Sequence, residues 1–250
     1  MSIKIKVWRD PYDACFNTTE AEEIEFEEGL TILVGCNGAG KTTLLRNIEE
    51  YLNEQKIPGL YYNNRTDGDR SNMMYTALNI HENVNMLATL AQSSEGETIN
   101  IGLGSLASTL KYFIKNGRKY SRMNQFLSPE EQPKIPESNK RIILLDAIDS
   151  GFSIDNIIDL KKYLFDFVLE DTKKNGYEMY FIVSANTYEL ANHERCLDVM
   201  SGEYISFNNY EEFRQFILDS KEKKEKRLDI AEELQKKRKK KKKWEDCDYE

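Results

Sequence analysis

Apolar and polar residues alternate at the start of the chain. Ile3, Ile5 and Val7 are separated by Lys4 and Lys6, and Ile24 and Phe26 by Glu25. A period of two puts alternate side chains on one face, so both segments are predicted to be half-buried antiparallel strands. Leu30 to Val34 is instead a short, almost unbroken apolar run that ends at Gly35, the pattern of a strand buried on both faces. From Thr42 the spacing changes. Leu44, Leu45, Ile48, Tyr51 and Leu52 recur at threes and fours, which predicts a helix that stops before Pro58, with Gly59 to Tyr62 resuming as a strand.

The string NNRTDGD, Asn63 to Asp69, is a turn or loop by composition. His81 to Ala91 and Ile99 to Lys115 predict helices, separated by the polar QSSEGE. Residues 116–139 hold Pro129, Pro133 and Pro136 and predict an irregular connection. A second apolar strand is expected at Arg141 to Leu145, a helix at Ile154 to Lys173, a third apolar strand at Met179 to Ser184 and a short helix at Tyr188 to Cys196. Such alternation of strands and helices favours an α/β fold around a parallel sheet. No internal repeat is visible.

A chain of 250 residues, 40% hydrophobic, is long enough for one large domain with a packed core or one domain with an appendage. No apolar stretch approaches the roughly 18 residues of a spanning helix, and MSIKIKVWRD lacks the apolar core of a signal peptide, so a soluble cytoplasmic protein with no membrane segment is expected. Cys15, Cys36, Cys196 and Cys247 show no C-x-x-C spacing, which argues against a zinc site or a disulfide framework and for reduced thiols.

Charge divides the chain. Residues 221–250 carry 13 Lys/Arg against 9 Asp/Glu, or +4, whereas residues 1–220 carry 22 against 34, or -12. This places a boundary between an acidic body, 1–220, and a charged, basic C-terminal helix or tail, 221–250. Within the tail, Lys236 to Lys243 reads KKRKKKKK. Such a run is either solvated and disordered or a salt-sensitive, sequence-independent contact to a nucleic-acid backbone.

The strongest chemical signal is Gly35 to Thr43, GCNGAGKTT, a match to G-x-x-x-x-G-K-[ST] between a buried strand and an amphipathic helix. Glycines let the backbone curl so that successive N–H groups point at phosphates, at the positive end of the helix that follows. Asn37, Gly38, Ala39, Gly40, Lys41, Thr42 and Thr43 are therefore candidate nucleotide contacts. Lys41 is expected to reach the β- and γ-phosphates of ATP and the Thr42 hydroxyl to take a position on Mg2+. A phosphate loop of this kind needs a carboxylate at the end of a neighbouring strand to hold the magnesium shell. Asp146, directly after IILL, is that candidate.

With both motifs in place, the chain resembles the ATP-binding-cassette class of ATPases. GCNGAGKTTLL is similar to the phosphate loop of that class, LLDAIDSGFS to its magnesium strand and following loop, and SSEGE, Ser93 to Glu97, to a divergent form of its signature segment. The resemblance spans about residues 1–210 in motif order and points to the soluble branch near the chromosome-maintenance, RecF-like and overcoming-lysogenization-defect groups. It implies an ATP-binding-cassette-type head with a small helical lobe between the phosphate loop and the magnesium strand. It also implies a homodimer that sandwiches ATP, Ser94 and Gly96 of one subunit covering the nucleotide held by the other.

Departures from the family pattern are informative. A glutamate normally follows the magnesium aspartate and orients the attacking water, and Ala147 stands in that place. A methyl group accepts no proton, so binding should survive while hydrolysis slows. Two origins fit: a naturally degenerate ATPase, or a Glu to Ala substitution made to trap ATP, and the intact remainder of the motif favours the second. Asp149 is an acid in the family too and so a poor substitute base. The family's switch histidine is replaced in FIVSANTYEL by Ser184 and Asn186, of which Asn186 is a candidate contact to the γ-phosphate or water, or a turn residue. His81 and His193 lie elsewhere. Asn63 is the nearest positional match to the glutamine that transporters use to sense magnesium, and Tyr12 or Phe16 could stack on adenine.

Three functions follow as expectations. One is an ATPase that gates or drives a nucleic-acid-repair or antiviral defence complex, with a separate nuclease or other effector as partner, since the sequence holds no nuclease motif. Another is the motor subunit of a membrane transporter, which predicts an LSGGQ segment, a glutamine loop and a switch histidine that are absent or altered. A third is a nucleotide-gated binding module without productive hydrolysis.

Overall fold

The computed structural model describes residues 2–7, 23–67, 95–119 and 136–245. Strands β1 (Ser2–Lys6) and β2 (Glu23–Glu27) pair antiparallel, Ile3 opposite Phe26 and Ile5 opposite Ile24. Their apolar residues are buried and the charged ones exposed, as the period of two requires.

The main sheet contains β3 (Gly29–Val34), β4 (Gly59–Asn63), β5 (Lys140–Asp146), β6 (Glu178–Ser184), β7 (Cys196–Asp198) and β8 (Tyr204–Ile205), in the order β4-β5-β6-β3-β7-β8. Every pairing is parallel except β7 with β8. The fold is therefore α/β with a mixed, mostly parallel central sheet. Both faces are covered, which is why the inner strands read as unbroken apolar runs. Ile143, Leu145, Phe181, Val183, Ile32 and Val34 join one core, and Ile142, Leu144, Tyr180, Ile182 and Leu33 join the other.

Helix α1 (Lys41–Glu54) lays Leu44, Leu45, Ile48 and Leu52 on the second of these faces, together with the β1–β2 pair. The first face receives α2 (Glu95–Asn116), α3 (Ile154–Asp159), a π-helical segment (Leu160–Asp166), α4 (Phe167–Lys174), α5 (Tyr188–Ala191) and the start of α6 (Tyr210–Glu245). Of the segment expected to form a small helical lobe, α2 packs Leu106, Leu110 and Phe113 into the core of the sheet, while the helix predicted at 81–91 lies outside the described residues.

Several predicted boundaries are corrected. Helix α2 starts at Glu95, ahead of Ile99, so part of QSSEGE is helical. The helix predicted from Tyr188 to Cys196 ends at Ala191, because Cys196 and Leu197 are claimed by β3, pairing with Ile32 and Leu33. The magnesium-strand candidate β5 is not hydrogen-bonded to β3, since β6 lies between them. Helix α6 passes residue 220, the expected start of the charged C-terminal helix or tail, and continues through Lys236 to Lys243.

Arg141 is buried at the base of β5. Its guanidinium donates to the carbonyls of Ile114 (2.9 Å), Ser138 (2.6 Å) and Lys140 (2.9 Å) and lies 4.5 Å from the centroid of the Tyr177 ring. One cation thus satisfies an orphan carbonyl near the end of α2 and ties that helix to the sheet. Arg141→Met keeps the apolar stem and abandons three carbonyls. It is expected to cost about 3 kcal/mol, measured by urea unfolding.

Candidate functional site

After Val34 the chain turns through Gly35 to Gly40 into α1. Gly38 (φ 76°) and Gly40 (φ 105°) occupy left-handed backbone, where a Cβ is penalised. Gly40 is the cap of α1 and offers no side chain to its amides, so the end of the helix is left for an outside acceptor. This end forms one wall of a cavity of about 650 Å³, lined by Asn37, Gly38, Gly40, Lys41, Thr42 and Thr43. Of the loop residues expected to bind, Ala39 does not line it. Its methyl packs against the apolar core and its N–H donates to Cys36 O at 3.1 Å.

Lys41 is buried, and its Nζ donates to Gly35 O (2.7 Å) and Cys36 O (3.3 Å). Burial holds its ammonium below the usual lysine range, opposed by the nearby Cys36, Asp149 and Asp146.

The opposite wall is built from the carboxyl ends of β4, β5 and β6, through Asn63, Asp146, Ala147, Ser184 and Asn186. Because β6 stands between β3 and β5, Ser184 at its end separates the glycine-rich loop from Asp146 in the sheet. Ser184 Oγ donates to Asp146 Oδ1 at 2.7 Å and accepts the Ala147 N–H at 2.8 Å. The second carboxylate oxygen, Oδ2, accepts from Tyr61 OH (3.0 Å) and Asn63 Nδ2 (3.1 Å). Burial, reinforced by Asp146, raises the Tyr61 phenol above its ordinary value, so it stays a donor, and the Arg46 guanidinium lies 3.7 Å over its ring. These side-chain partners are neutral donors that orient the carboxylate without cancelling its charge. That is what a carboxylate needs if it is to meet a cation.

Ala147 adopts φ 52°, the left-handed region, is buried and lines the cavity. An L-residue held there carries local strain, which the bond to Ser184 helps to sustain. Asp149 faces away from proton-transfer work. It accepts from Asn186 N (2.6 Å), Thr187 N (2.9 Å), Thr187 Oγ1 (3.1 Å) and Asn186 Nδ2 (3.1 Å). The carboxylate thereby fixes Asn186 at the cavity wall, giving this residue a turn role and a site position together.

Sequence reasoning missed Tyr61, concealed as one more apolar residue of a buried strand, and Arg65. Arg65 lines the cavity from the turn after β4. That turn is tied down by Arg65 N to Asn63 Oδ1 (2.9 Å), Asn63 N to Asp67 Oδ2 (2.8 Å) and Asn64 N to Asp146 O (3.0 Å). Its place two residues past a strand end was the only signal in NNRTDGD.

Gly96 lies in the first turn of α2. Ser94, Tyr12, Phe16 and His81 lie outside the described residues. His193 is exposed on the turn after α5 and does not line the cavity. Cys36 and Cys196 are free and buried, and burial pushes the Cys196 thiol up to about 12.

Among the described residues no group of three His, Cys, Asp or Glu could hold a metal ion unaided. Magnesium needs no such cage when substrate phosphates supply most of its oxygens, and the single oriented carboxylate with the Thr42 hydroxyl on the facing wall fits that division. Among the described residues no helix is long and apolar enough to cross a membrane. Neither a family model nor a curated protein matches this chain.

Proposed function

We propose that this chain binds ATP with Mg2+ and is the head of a soluble ATP-binding-cassette-type ATPase. The observation that carries the reading is the pairing of a glycine-rich loop and buried Lys41 with the oriented carboxylate of Asp146 across one cavity of about 650 Å³, a size suited to a nucleotide. The loop amides and α1 receive the phosphates, and Lys41 exchanges Gly35 O and Cys36 O for the β- and γ-oxygens. Thr42 and Asp146 hold the metal. When bound, magnesium supplies Lewis-acid neutralisation of phosphate charge. Arg65 adds a cation at the same wall, and Asn186 is placed to hydrogen-bond the terminal phosphate or water. With Ala147 in the position of a base, the chain binds nucleotide and turns it over poorly.

The composite-site reading adds a homodimer, Ser94 and Gly96 of one copy meeting the nucleotide of the other. Ile154 and Ile158, both more than half exposed, follow directly on the loop that carries Asp146 to Ser153 and suit burial against a second copy. Sedimentation with Mg·ATP should show a dimer that Ile154→Asp abolishes while ATP affinity stays within about threefold. A chain that remains monomeric with saturating Mg·ATP rejects the composite site.

Such a head would gate a nucleic-acid-repair or defence complex, hydrolysis acting as a timer, with an effector protein supplying any cleavage. The transporter-subunit reading has less support, lacking a glutamine at Asn63 and a histidine at Asn186. The nucleotide-gated module without hydrolysis is favoured by one specific observation, Ala147 at the cavity wall.

A further inference from the structure

Helix α6 touches the loop between β3 and α1 twice. Ser220 is buried, and its Oγ accepts the Cys36 N–H at 3.1 Å while donating to Met200 Sδ at 3.2 Å. One helical turn further, Lys224 Nζ donates to Asn37 O at 2.9 Å. The same nitrogen would stand 2.8 Å from a Cβ placed on Gly38, so the ammonium rests against the loop beside two residues that line the cavity, just outside the lining itself.

Three successive loop carbonyls therefore accept from two ammonium groups, Gly35 O and Cys36 O from Lys41 and Asn37 O from Lys224. The positions three and four away from Lys224 along α6 are Ser220, Lys221, Arg227 and Leu228, none of them acidic, so its charge has no helical neighbour to neutralise it. By contrast, Lys221 and Lys226 pair with Glu225 and Glu222 on the same helix. A neutral carbonyl is a weak acceptor for a free ammonium compared with a phosphate oxygen.

We infer that Lys224 is a second phosphate-binding lysine, delivered to the nucleotide site by the C-terminal helix. It is held at the loop by Asn37 O until a polyphosphate arrives, and then donates to it. The inference rests on the phosphate-loop reading of the site. It makes α6 part of the nucleotide site, so that nucleotide binding and the placement of α6 are linked in both directions.

Calorimetric titration of the full chain with Mg·ATP, Mg·ADP and AMP tests this, comparing the parent with Lys224→Gln, Lys224→Arg and Lys41→Ala. Glutamine keeps a donor for Asn37 O and removes the charge. Lys224→Gln should weaken ATP about tenfold, leave AMP unchanged and flatten the salt dependence of ATP binding, with an unaltered melting temperature for the empty chain. Lys224→Arg should bind ATP within about threefold of the parent. Parental ATP affinity that requires Lys41 and is unchanged in Lys224→Gln overturns the inference alone. Tighter ATP binding by Lys224→Gln also overturns it, since the contact would then be a brake. A parent chain that binds no ATP overturns the inference together with the reading beneath it.

Discussion

Replacing Ala147 by glutamate is expected to raise phosphate release from ATP by about 10²- to 10⁴-fold, with ATP affinity changed little. Ala147 lines the cavity next to Asp146, so a glutamate there adds its carboxylate at that wall. The backbone at φ 52° bears a Cβ either way, so glutamate adds no new steric penalty in the left-handed region. The Ala147 N–H remains on Ser184 Oγ, which also donates to Asp146, keeping the turn in register with that carboxylate. Asp149 does not supply the function, since its carboxylate is engaged by four donors from Asn186 and Thr187. Single-turnover phosphate release checks this. An unchanged rate with intact ATP binding would assign the chain to the nucleotide-gated modules.

Lys41→Ala should lower ATP affinity by about a hundredfold or more, the scale of losing a buried charge-assisted contact to phosphate. The effect carries a pH signature. Burial depresses the pKa of Lys41, and phosphate binding requires the protonated form. Affinity is therefore full below that depressed pKa and falls by up to tenfold per pH unit as pH rises through it, before an ordinary exposed lysine would titrate. Lys41→Ala should show no such fall over the same alkaline window. A parental affinity with the same alkaline pH profile as Lys41→Ala would mean that Lys41 does not meet the phosphates.

The strand, glycine-rich turn and helix around Gly35 to Thr43 were legible because their signal is local: glycines at left-handed positions between a buried strand and an amphipathic helix. The alternation in β1 and β2 and the apolar runs of β3, β5 and β6 were legible for the same reason. What sequence could not supply was adjacency. Asp146 was singled out as a strand-end carboxylate, yet its partners Tyr61, Asn63 and Ser184 come from β4 and β6, and only the order of strands in the sheet brings them together. Arg65 was hidden in a string that composition marks as a turn. Lys224 was counted with a charged tail, yet its ammonium donates to Asn37 O in the loop. The helix predicted through Cys196 failed because pairing with β3 outweighed a weak local pattern.

The central claim is that this cavity recognises the polyphosphate of a nucleotide. Calorimetric titration of the parent chain with ATP and with AMP, each in the presence of Mg2+, measures it directly. The account predicts saturable ATP binding at least a hundredfold tighter than AMP, because Lys41, the loop amides and the Asp146 metal site all act on the β- and γ-phosphates. Equal affinity for the two nucleotides, or no ATP binding, would contradict it.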